Sequence, residues 1–267
     1  MKPSVSVVIT AYNTEKYVSD AIHSVLQQTY TDYELIIVED GSRDRTREII
    51  ENICKQDPRI RFIANEKNRG MAYSANLAIE EAQGEIIIRM DADDVMVPTR
   101  IEEQVHHFKD KPYATMISCF AEYISAKNKL LKHYHSLGAE FNTENATRKA
   151  IENGQLIQCI HTGFAAYKQA FLDVGGYRNL PCVVDIDIFT RMAEKGHNLY
   201  VIPKTLVKYR LHGSSVVSST LKDSLNANVY AWVFDSYTRR QAGLPEQSLE
   251  AFIDNEKKRP FLPKIEK

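Results

Sequence analysis

Three aspartates, Asp91, Asp93 and Asp94, stand within four positions directly after the apolar run "EIIIRM". Like charges this close to a buried segment repel one another and lose hydration unless a cation or a donor offsets them. Carboxylate oxygens suit Mg²⁺ or Mn²⁺, ions that commonly hold phosphates while keeping several waters. A single Asp-x-Asp also arises by chance, so a plain strand-to-helix turn is an equal alternative at this point.

Two further polar clusters each follow an apolar run. In "TAYNTE", Tyr12 offers a flat face on which a base could stack, or it is an amphipathic aromatic at a surface turn. In "EDGSRD", Glu39 and Asp40 could accept a hydrogen bond from a base imide or a ribose hydroxyl, although Asp-Gly is also a common turn. Neither GxGxxG nor GxxxxGK[ST] occurs, so the usual phosphate-binding loops are excluded.

Alternating strand and helix patterns must position these clusters. Apolar runs predict strands over 5–10, 33–40, 59–65 and 85–90, and helical spacing predicts helices over 17–26, 45–56 and 71–84. Continuous apolar strands separated by helices indicate an α/β fold with a mostly parallel, Rossmann-like central sheet flanked by helices. Because ligands bind beyond the carboxyl ends of such strands, the three clusters should converge on one rim.

The second half of the chain is less regular. We predict helices over 98–109, 144–153 and 185–197, strands over 113–125, 129–134 and 206–212, and a helix from about 219. No repeat or linker composition divides the chain, which favours one domain with a C-terminal extension. The tail "NEKKRPFLPKIEK" is basic; a packing helix with a frayed end is favoured over a peripheral membrane contact.

Composition restricts the kinds of partner and the cellular compartment that we expect for this protein. A net charge of -1 on 267 residues gives no argument for a nucleic-acid partner, and none is expected. No apolar run approaches the roughly 20 residues of a membrane span, and the N-terminus lacks a secretory pattern, so we expect a cytoplasmic protein, or one held at the inner face of the membrane by its tail. The four cysteines have no metal-site spacing and are expected to be buried free thiols.

Three stretches together resemble a known family. They are "VSVVITAYNTEKYVSDAIHSVLQQTYTDYELIIVEDGSRDRT", "NRGMAYSANLAIEEAQGEIIIRMDADD" and "GGY…DIDIFTRMAEKGHNLYVIPKTLVKYRLH". In the same order, from about Ser4 to His212, they look like a family 2 glycosyltransferase of the GT-A fold. The resemblance implies residues 1–217 as a single GT-A domain, with a nucleotide-sugar-binding half over 1–97 and an acceptor-binding half over 98–217. Residues 218–267 are then a helical extension and basic tail.

The resemblance also implies a chemistry. It implies a nucleotide-sugar donor, in the first place a UDP-sugar, a divalent Mn²⁺ or Mg²⁺ ion, inversion at the anomeric carbon, and a glycan or lipid-linked acceptor. Asp185, six residues before Arg191, takes the place of the catalytic base, although physics alone leaves Asp187 open. The remaining implied contacts are Thr10, Ala11, Tyr12, Asn13, Glu15, Asp40, Asn76, Asp91, Ala92 and Arg210 for the donor, Asp93, Asp94 and His212 for the metal, and His161 and Val184 for the acceptor.

Several residues depart from the pattern of the family. Thr10 stands where proline is frequent, Glu39 replaces an aspartate, and Val184 replaces a common glutamate. The QxxRW motif of processive synthases is missing, which favours transfer of one sugar, as in polysaccharide, lipopolysaccharide or glycan biosynthesis. Two rivals remain: a nucleotidyltransferase, which would normally bring a Gly-rich basic first loop, and a catalytically silent nucleotide-sugar-binding or scaffold protein. The sugar, the acceptor and the oligomeric state do not follow from the sequence.

Overall fold

A nine-stranded sheet runs through the computed structural model, which describes residues 3–133, 137–213 and 224–258. The strands are β1 (Val5–Ala11), β2 (Tyr33–Glu39), β3 (Ile60–Ala64), β4 (Ile86–Asp91), β5 (Val95–Met96), β6 (Ala114–Ser125), β7 (Leu130–His133), β8 (Ala165–Tyr167) and β9 (Asn198–Leu211). The helices are α1 (Val18–Leu26), α2 (Thr46–Cys54), α3 (Met71–Glu81), α4 (Arg100–Asp110), α5 (Ala146–Glu152), α6 (Lys168–Asp173), α7 (Val184–Glu194), α8 (Ser224–Gln241) and α9 (Leu249–Lys258).

The first four strands form the parallel part of the sheet. β1 pairs in parallel with β2 and β4, and β2 pairs in parallel with β3. Successive side chains of a strand point to opposite faces, so Val7 and Ile9 pack under α1, α2 and α4, while Val8 packs with α3 and α7. Both faces are covered, which is why these strands read as continuous apolar runs. The predicted α/β class is confirmed.

The second half of the sheet is mixed. The strand order is β3-β2-β1-β4-β8-β6-β9-β5, with β7 on β6. Among the described strands four pairings are parallel and four are antiparallel: β8 runs against both β4 and β6, β5 runs against β9, and β7 runs against β6. No strand was predicted at β8, which at three residues is too short for a periodic pattern. β9 begins eight residues before its predicted start at 206.

The described part of the C-terminal extension packs on the main body. Val229, Trp232 and Val233 of the predicted apolar stripe are buried, and Trp232 and Val233 pack with Phe252 of α9. Leu225 of the same stripe is exposed, whereas Leu221 and the tail beyond 258 lie outside the described residues. No helix in the described ranges combines the length and the apolarity needed to cross a bilayer. The domain division at 217 stays a prediction.

A side-chain amide joins the two halves of the chain. Asn76 on α3 donates through Nδ2 to the Tyr177 carbonyl at 2.8 Å and accepts the Tyr177 N–H through Oδ1 at 2.8 Å. The turn it holds contains Gly175 and Gly176, with φ of +69° and +72°. A Cβ on Gly176 would lie 2.4 Å from Asn76 Oδ1, whereas one on Gly175 would meet nothing within 4 Å.

These two glycines allow a matched test of the joint. Gly175→Ala carries only the left-handed backbone cost, about 1–2 kcal/mol. Gly176→Ala carries the same cost and also displaces the Asn76 amide, whose two hydrogen bonds contribute about 1 kcal/mol each. We expect urea denaturation to show a clearly larger loss of unfolding free energy for Gly176→Ala. Equal losses in the two variants would contradict the joint.

Candidate functional site

One pocket of about 440 Å³ opens at the carboxyl ends of β1, β2 and β4. Since parallel strands end at the same edge, three loops that are distant in sequence meet there. The pocket is lined by Thr10, Ala11, Tyr12, Asn13, Thr14, Asp40, Asn68, Met71, Arg89, Asp91, Ala92, Asp93 and His212. All three predicted polar clusters therefore contribute to one rim.

The loop after β1 presents an aromatic ring to this pocket. Tyr12 is 39% exposed, a large fraction for a tyrosine beside a buried strand. The next residue, Asn13, has a φ of +52°, and its backbone N–H donates to Ser42 Oγ at 3.0 Å. The Asn13 Oδ1 atom accepts the Arg43 N–H at 2.9 Å. The loop is thus held against the segment that follows β2, with Tyr12 free to meet a flat ligand.

Asp40 holds the neighbouring loop in place. Its Oδ1 accepts hydrogen bonds from Asn65 Nδ2 at 2.7 Å and from the Arg69 N–H at 2.9 Å. Its Oδ2 accepts the Gly70 N–H at 2.9 Å. The side chain is buried, yet an ionised carboxylate has about four acceptor sites, so one remains for a ligand.

Asp93 and His212 carry an oxygen and a nitrogen atom of the kinds that bind a divalent metal ion. Asp93 Oδ2 lies 2.9 Å from His212 Nε2, and both residues line the pocket. Burial and the negative charge of Asp91 raise the pKa of Asp93, while His212 opposes this shift. In the described ranges no three His, Cys, Asp or Glu side chains are grouped as a complete metal site. A two-ligand site fits Mg²⁺ or Mn²⁺ when phosphate oxygens and waters complete the coordination.

Asp94 and Arg210 lie beneath the pocket and do not line it. Asp94 is 2% exposed, and its Oδ1 accepts the Arg210 backbone N–H at 2.7 Å. Burial and then the charges of Asp93 and Asp91 raise the pKa of Asp94. The Arg210 guanidinium donates through Nε to the Asp93 carbonyl at 2.6 Å, and also to Asn128 and Asp20. This geometry makes Asp94 and Arg210 supports of the loop that carries Asp93.

Two aspartates of α7 have different environments. Asp187 is 1% exposed, and its Oδ2 accepts from Arg191 Nε at 2.9 Å and Nη2 at 2.7 Å. Arg178 Nη1 lies 3.4 Å from the Asp187 Oδ1 atom. Asp185 is only half-buried and lies two residues nearer the helix start, on a different side of the helix. Of the two carboxylates, Asp185 is therefore the one with the more accessible oxygen atoms, an asymmetry that the sequence left open.

His161 and Tyr177 form a pair within hydrogen-bond distance on which the charge of Asp185 acts. His161 Nε2 lies 3.0 Å from the Tyr177 hydroxyl. Burial and then the positive charge of Arg89 lower the pKa of His161, which keeps the ring neutral at pH 7, while Asp91 and Asp185 act in the opposite direction. Burial raises the pKa of Tyr177; the charge of Arg89 opposes this shift, and the charges of Asp185 and Asp91 add to it. Both carboxylates therefore lie close enough to act on the same two side chains.

The remaining predicted residues lie outside the pocket lining. Glu15 accepts the Arg45 N–H at 3.0 Å, and Asn76 holds the turn at Tyr177. Val184 begins α7 and packs against the core. Four lining residues were missed: Thr14, Asn68, Met71 and Arg89. Only Arg89 carried a sequence signal, since a charged residue is unusual in a strand buried on both faces.

Comparisons with known proteins show which family the chain resembles. The sequence model described as "Glycosyl transferase family 2" matches residues 6–176. The putative teichuronic acid biosynthesis glycosyltransferase TuaG of Bacillus subtilis is 28% identical over 221 residues, which cover 83% of this chain and 84% of TuaG.

Two solved structures share the fold. S. aureus TarS 1-349 in complex with UDP-GlcNAc has a TM-score of 0.69 at 16% identity, covering 93% of this chain and 69% of TarS 1-349. The mannosyltransferase PcManGT from Pyrobaculum calidifontis, in complex with GDP-Man and Mn²⁺, has a TM-score of 0.62 at 17% identity, covering 96% of this chain and 80% of PcManGT. With the family match spanning most of the chain, this protein belongs to glycosyltransferase family 2 and has the GT-A fold.

Proposed function

We propose that this glycosyltransferase transfers a single sugar from a nucleotide-sugar, in the first place a UDP-sugar, to an acceptor hydroxyl with inversion. The observation that carries the proposal is the single pocket in which a stackable ring, Tyr12, and a candidate metal pair, Asp93 and His212, face the same space. TarS with UDP-GlcNAc and PcManGT with GDP-Man and Mn²⁺ support a nucleotide-sugar donor. The likeness to TuaG supports a polysaccharide acceptor.

Each part of the donor has a candidate partner. Tyr12 stacks on the base and Asp40 accepts a hydrogen bond from its imide. The diphosphate then lies towards Asp93 and His212, the pair that would hold a Mn²⁺ or Mg²⁺ ion. When bound, that ion supplies positive charge that offsets the charge of the leaving nucleoside diphosphate.

Asp185 is the proposed general base. Its carboxylate takes the proton of the acceptor hydroxyl while the acceptor oxygen attacks the anomeric carbon from the face opposite the diphosphate. The bond between the anomeric carbon and the phosphate oxygen breaks, and its electron pair leaves with the nucleoside diphosphate. One bond forms and one breaks on opposite faces of the same carbon, which inverts its configuration. His161 and Tyr177, which are within hydrogen-bond distance of each other, are candidate contacts of the acceptor.

Removing the aromatic ring of Tyr12 tests where the nucleobase of the donor binds. Stacking of a base on an aromatic ring contributes about 1–3 kcal/mol, so Tyr12→Ala should weaken nucleotide binding by roughly 5- to 150-fold. Tyr12→Phe keeps the ring and should bind as the wild type does. Calorimetric titration measures the affinity of both variants for UDP and GDP. Equal affinity of Tyr12→Ala and wild type would mean that the nucleobase does not stack on Tyr12.

Removing the Asp93 carboxylate tests the metal pair. Wild type is screened with UDP-, GDP- and dTDP-sugars, with and without Mn²⁺, for thermal stabilisation and nucleoside diphosphate release. We expect at least one donor to stabilise the wild type only with Mn²⁺, and Asp93→Ala to lose that metal-dependent shift. Asp110→Ala, an exposed carboxylate on α4, is the control and should keep it. If no donor stabilises the wild type, the proposed function fails.

The two α7 aspartates provide a test of the base. General-base catalysis contributes roughly 10²- to 10⁴-fold, so Asp185→Asn should lower turnover by that factor while donor affinity and the melting temperature stay unchanged. Asp187→Asn leaves the buried Arg191 without its counter-charge, at a cost of about 3–5 kcal/mol in unfolding free energy. Normal turnover in Asp185→Asn would remove Asp185 from the role, and NMR of the product anomer tests inversion separately.

A further inference from the structure

Arg89 is a buried cation in the middle of the central sheet. It lies on β4 among apolar residues that are fully or nearly fully buried, and its side chain is only 2% exposed. Even so, Arg89 is one of the residues that line the pocket. Burying a guanidinium costs several kcal/mol unless its donors are well matched. An arginine at this position therefore requires a reason beyond packing.

The hydrogen bonds of Arg89 are incomplete. Nη2 donates to Asp91 Oδ1 at 2.6 Å and to Thr10 Oγ1 at 3.2 Å, and Nη1 donates to the Met90 carbonyl. The Nε N–H is buried and has no partner in the described part of the chain. A guanidinium has five N–H groups, and a buried donor left unpaired costs about 1–3 kcal/mol. The Arg89 guanidinium thus keeps donor capacity that no described residue uses.

The hydrogen bond from Arg89 also occupies part of the Asp91 carboxylate. One of its two oxygens accepts from Nη2, and the side chain remains 28% exposed. Asp93, two residues on, is paired with His212 instead. The two aspartates of the Asp-x-Asp sequence therefore have separate partners. Asp91 and Arg89 form a unit that offers an accepting oxygen and donating N–H groups side by side.

Arg89 and Asp91 both line the pocket that the proposed donor would occupy. The positive charge of Arg89 acts on His161 and Tyr177. Asp185 is the proposed base, so Arg89 acts electrostatically on the same two side chains as that base. In the proposed reaction the sugar ring lies between the diphosphate and that base, so side chains that line the donor pocket and also act on the surroundings of the base are candidate contacts of the sugar.

We propose that Arg89 and Asp91 together bind two adjacent hydroxyl groups of the transferred sugar, so that Arg89 determines which donor sugars are accepted. The guanidinium donates to one hydroxyl oxygen and the carboxylate accepts from the other hydroxyl. A site built to hydrogen-bond a hydroxyl rejects an analogue that lacks it, because its own buried polar groups are then left unpaired. This assignment rests on the proposed function and names the group that reads the sugar.

The test separates the sugar from the nucleotide. Affinities of wild type, Arg89→Met and Arg89→Lys are measured by calorimetry with Mn²⁺ for two ligands: the nucleotide-sugar that stabilises the wild type most, and its nucleoside diphosphate. We expect Arg89→Met to weaken nucleotide-sugar binding at least tenfold while nucleoside diphosphate binding changes less than twofold. Arg89→Lys keeps the charge and should recover part of the loss. Arg89→Met should also reduce the difference in affinity between nucleotide-sugars that differ only in the sugar.

Other outcomes overturn the assignment. If Arg89→Met weakens both ligands equally or neither, Arg89 is only the counter-charge of Asp91. If Arg89→Met does not fold, Arg89→Lys and Asp91→Asn, which change the side-chain volume little, must each weaken nucleotide-sugar binding more than nucleoside diphosphate binding, with the smaller loss in Arg89→Lys. A wild type that binds no nucleotide-sugar at all contradicts the proposed function itself. Selective binding by the wild type without selective loss in the variants contradicts this inference alone.

Discussion

The charge balance around the three aspartates after β4 is the constraint on which the site depends. Repulsion among carboxylates this close would open the turn unless each one were offset. Each has its own partner: a guanidinium for Asp91, an imidazole for Asp93 and a backbone N–H for Asp94. A further buried arginine, Arg100, donates to the Arg89 carbonyl at 2.8 Å, and burial lowers its pKa to about 10. The turn is thereby held in one geometry before any ligand binds.

The partners of the turn also connect the two halves of the sheet. Arg210 ends a long strand of the second half, yet its side chain reaches the Asp93 carbonyl, Asn128 of the β6–β7 turn and Asp20 of α1. A single side chain thus joins three segments that are distant in sequence. Asn76 on α3 performs a similar task, because it holds the turn at Tyr177 that precedes α7. Fixed supports of this kind let a proposed site on loops keep a defined shape.

The helix α7 shows how one element carries a support and a candidate reactive group. The carboxylate of Asp187 pairs with Arg191 and Arg178. Arg178 also pairs with Glu246 near α9. The described C-terminal helices are therefore part of the framework beneath α7. Val183, directly before α7, has a left-handed backbone with φ of +59°, a strained conformation for a β-branched residue. Asp185 follows two residues later, on a helix start that its surroundings hold in place.

The local periodicity of the sequence was enough to predict the strands and helices of the first half of this protein, because elements of ordinary length leave a recognisable apolar pattern. Each element as far as β4 begins within one residue of its predicted start, and the rule that parallel strands end at one edge brought Tyr12, Asp40 and Asp93 together in advance. The three-residue β8 left no such pattern. Only the tertiary structure decided which carboxylates are paired. The partner of Asp94 is 116 positions away, and Asp187 differs from Asp185 by its contacts, since a charge is neutralised by what lies beside it in space.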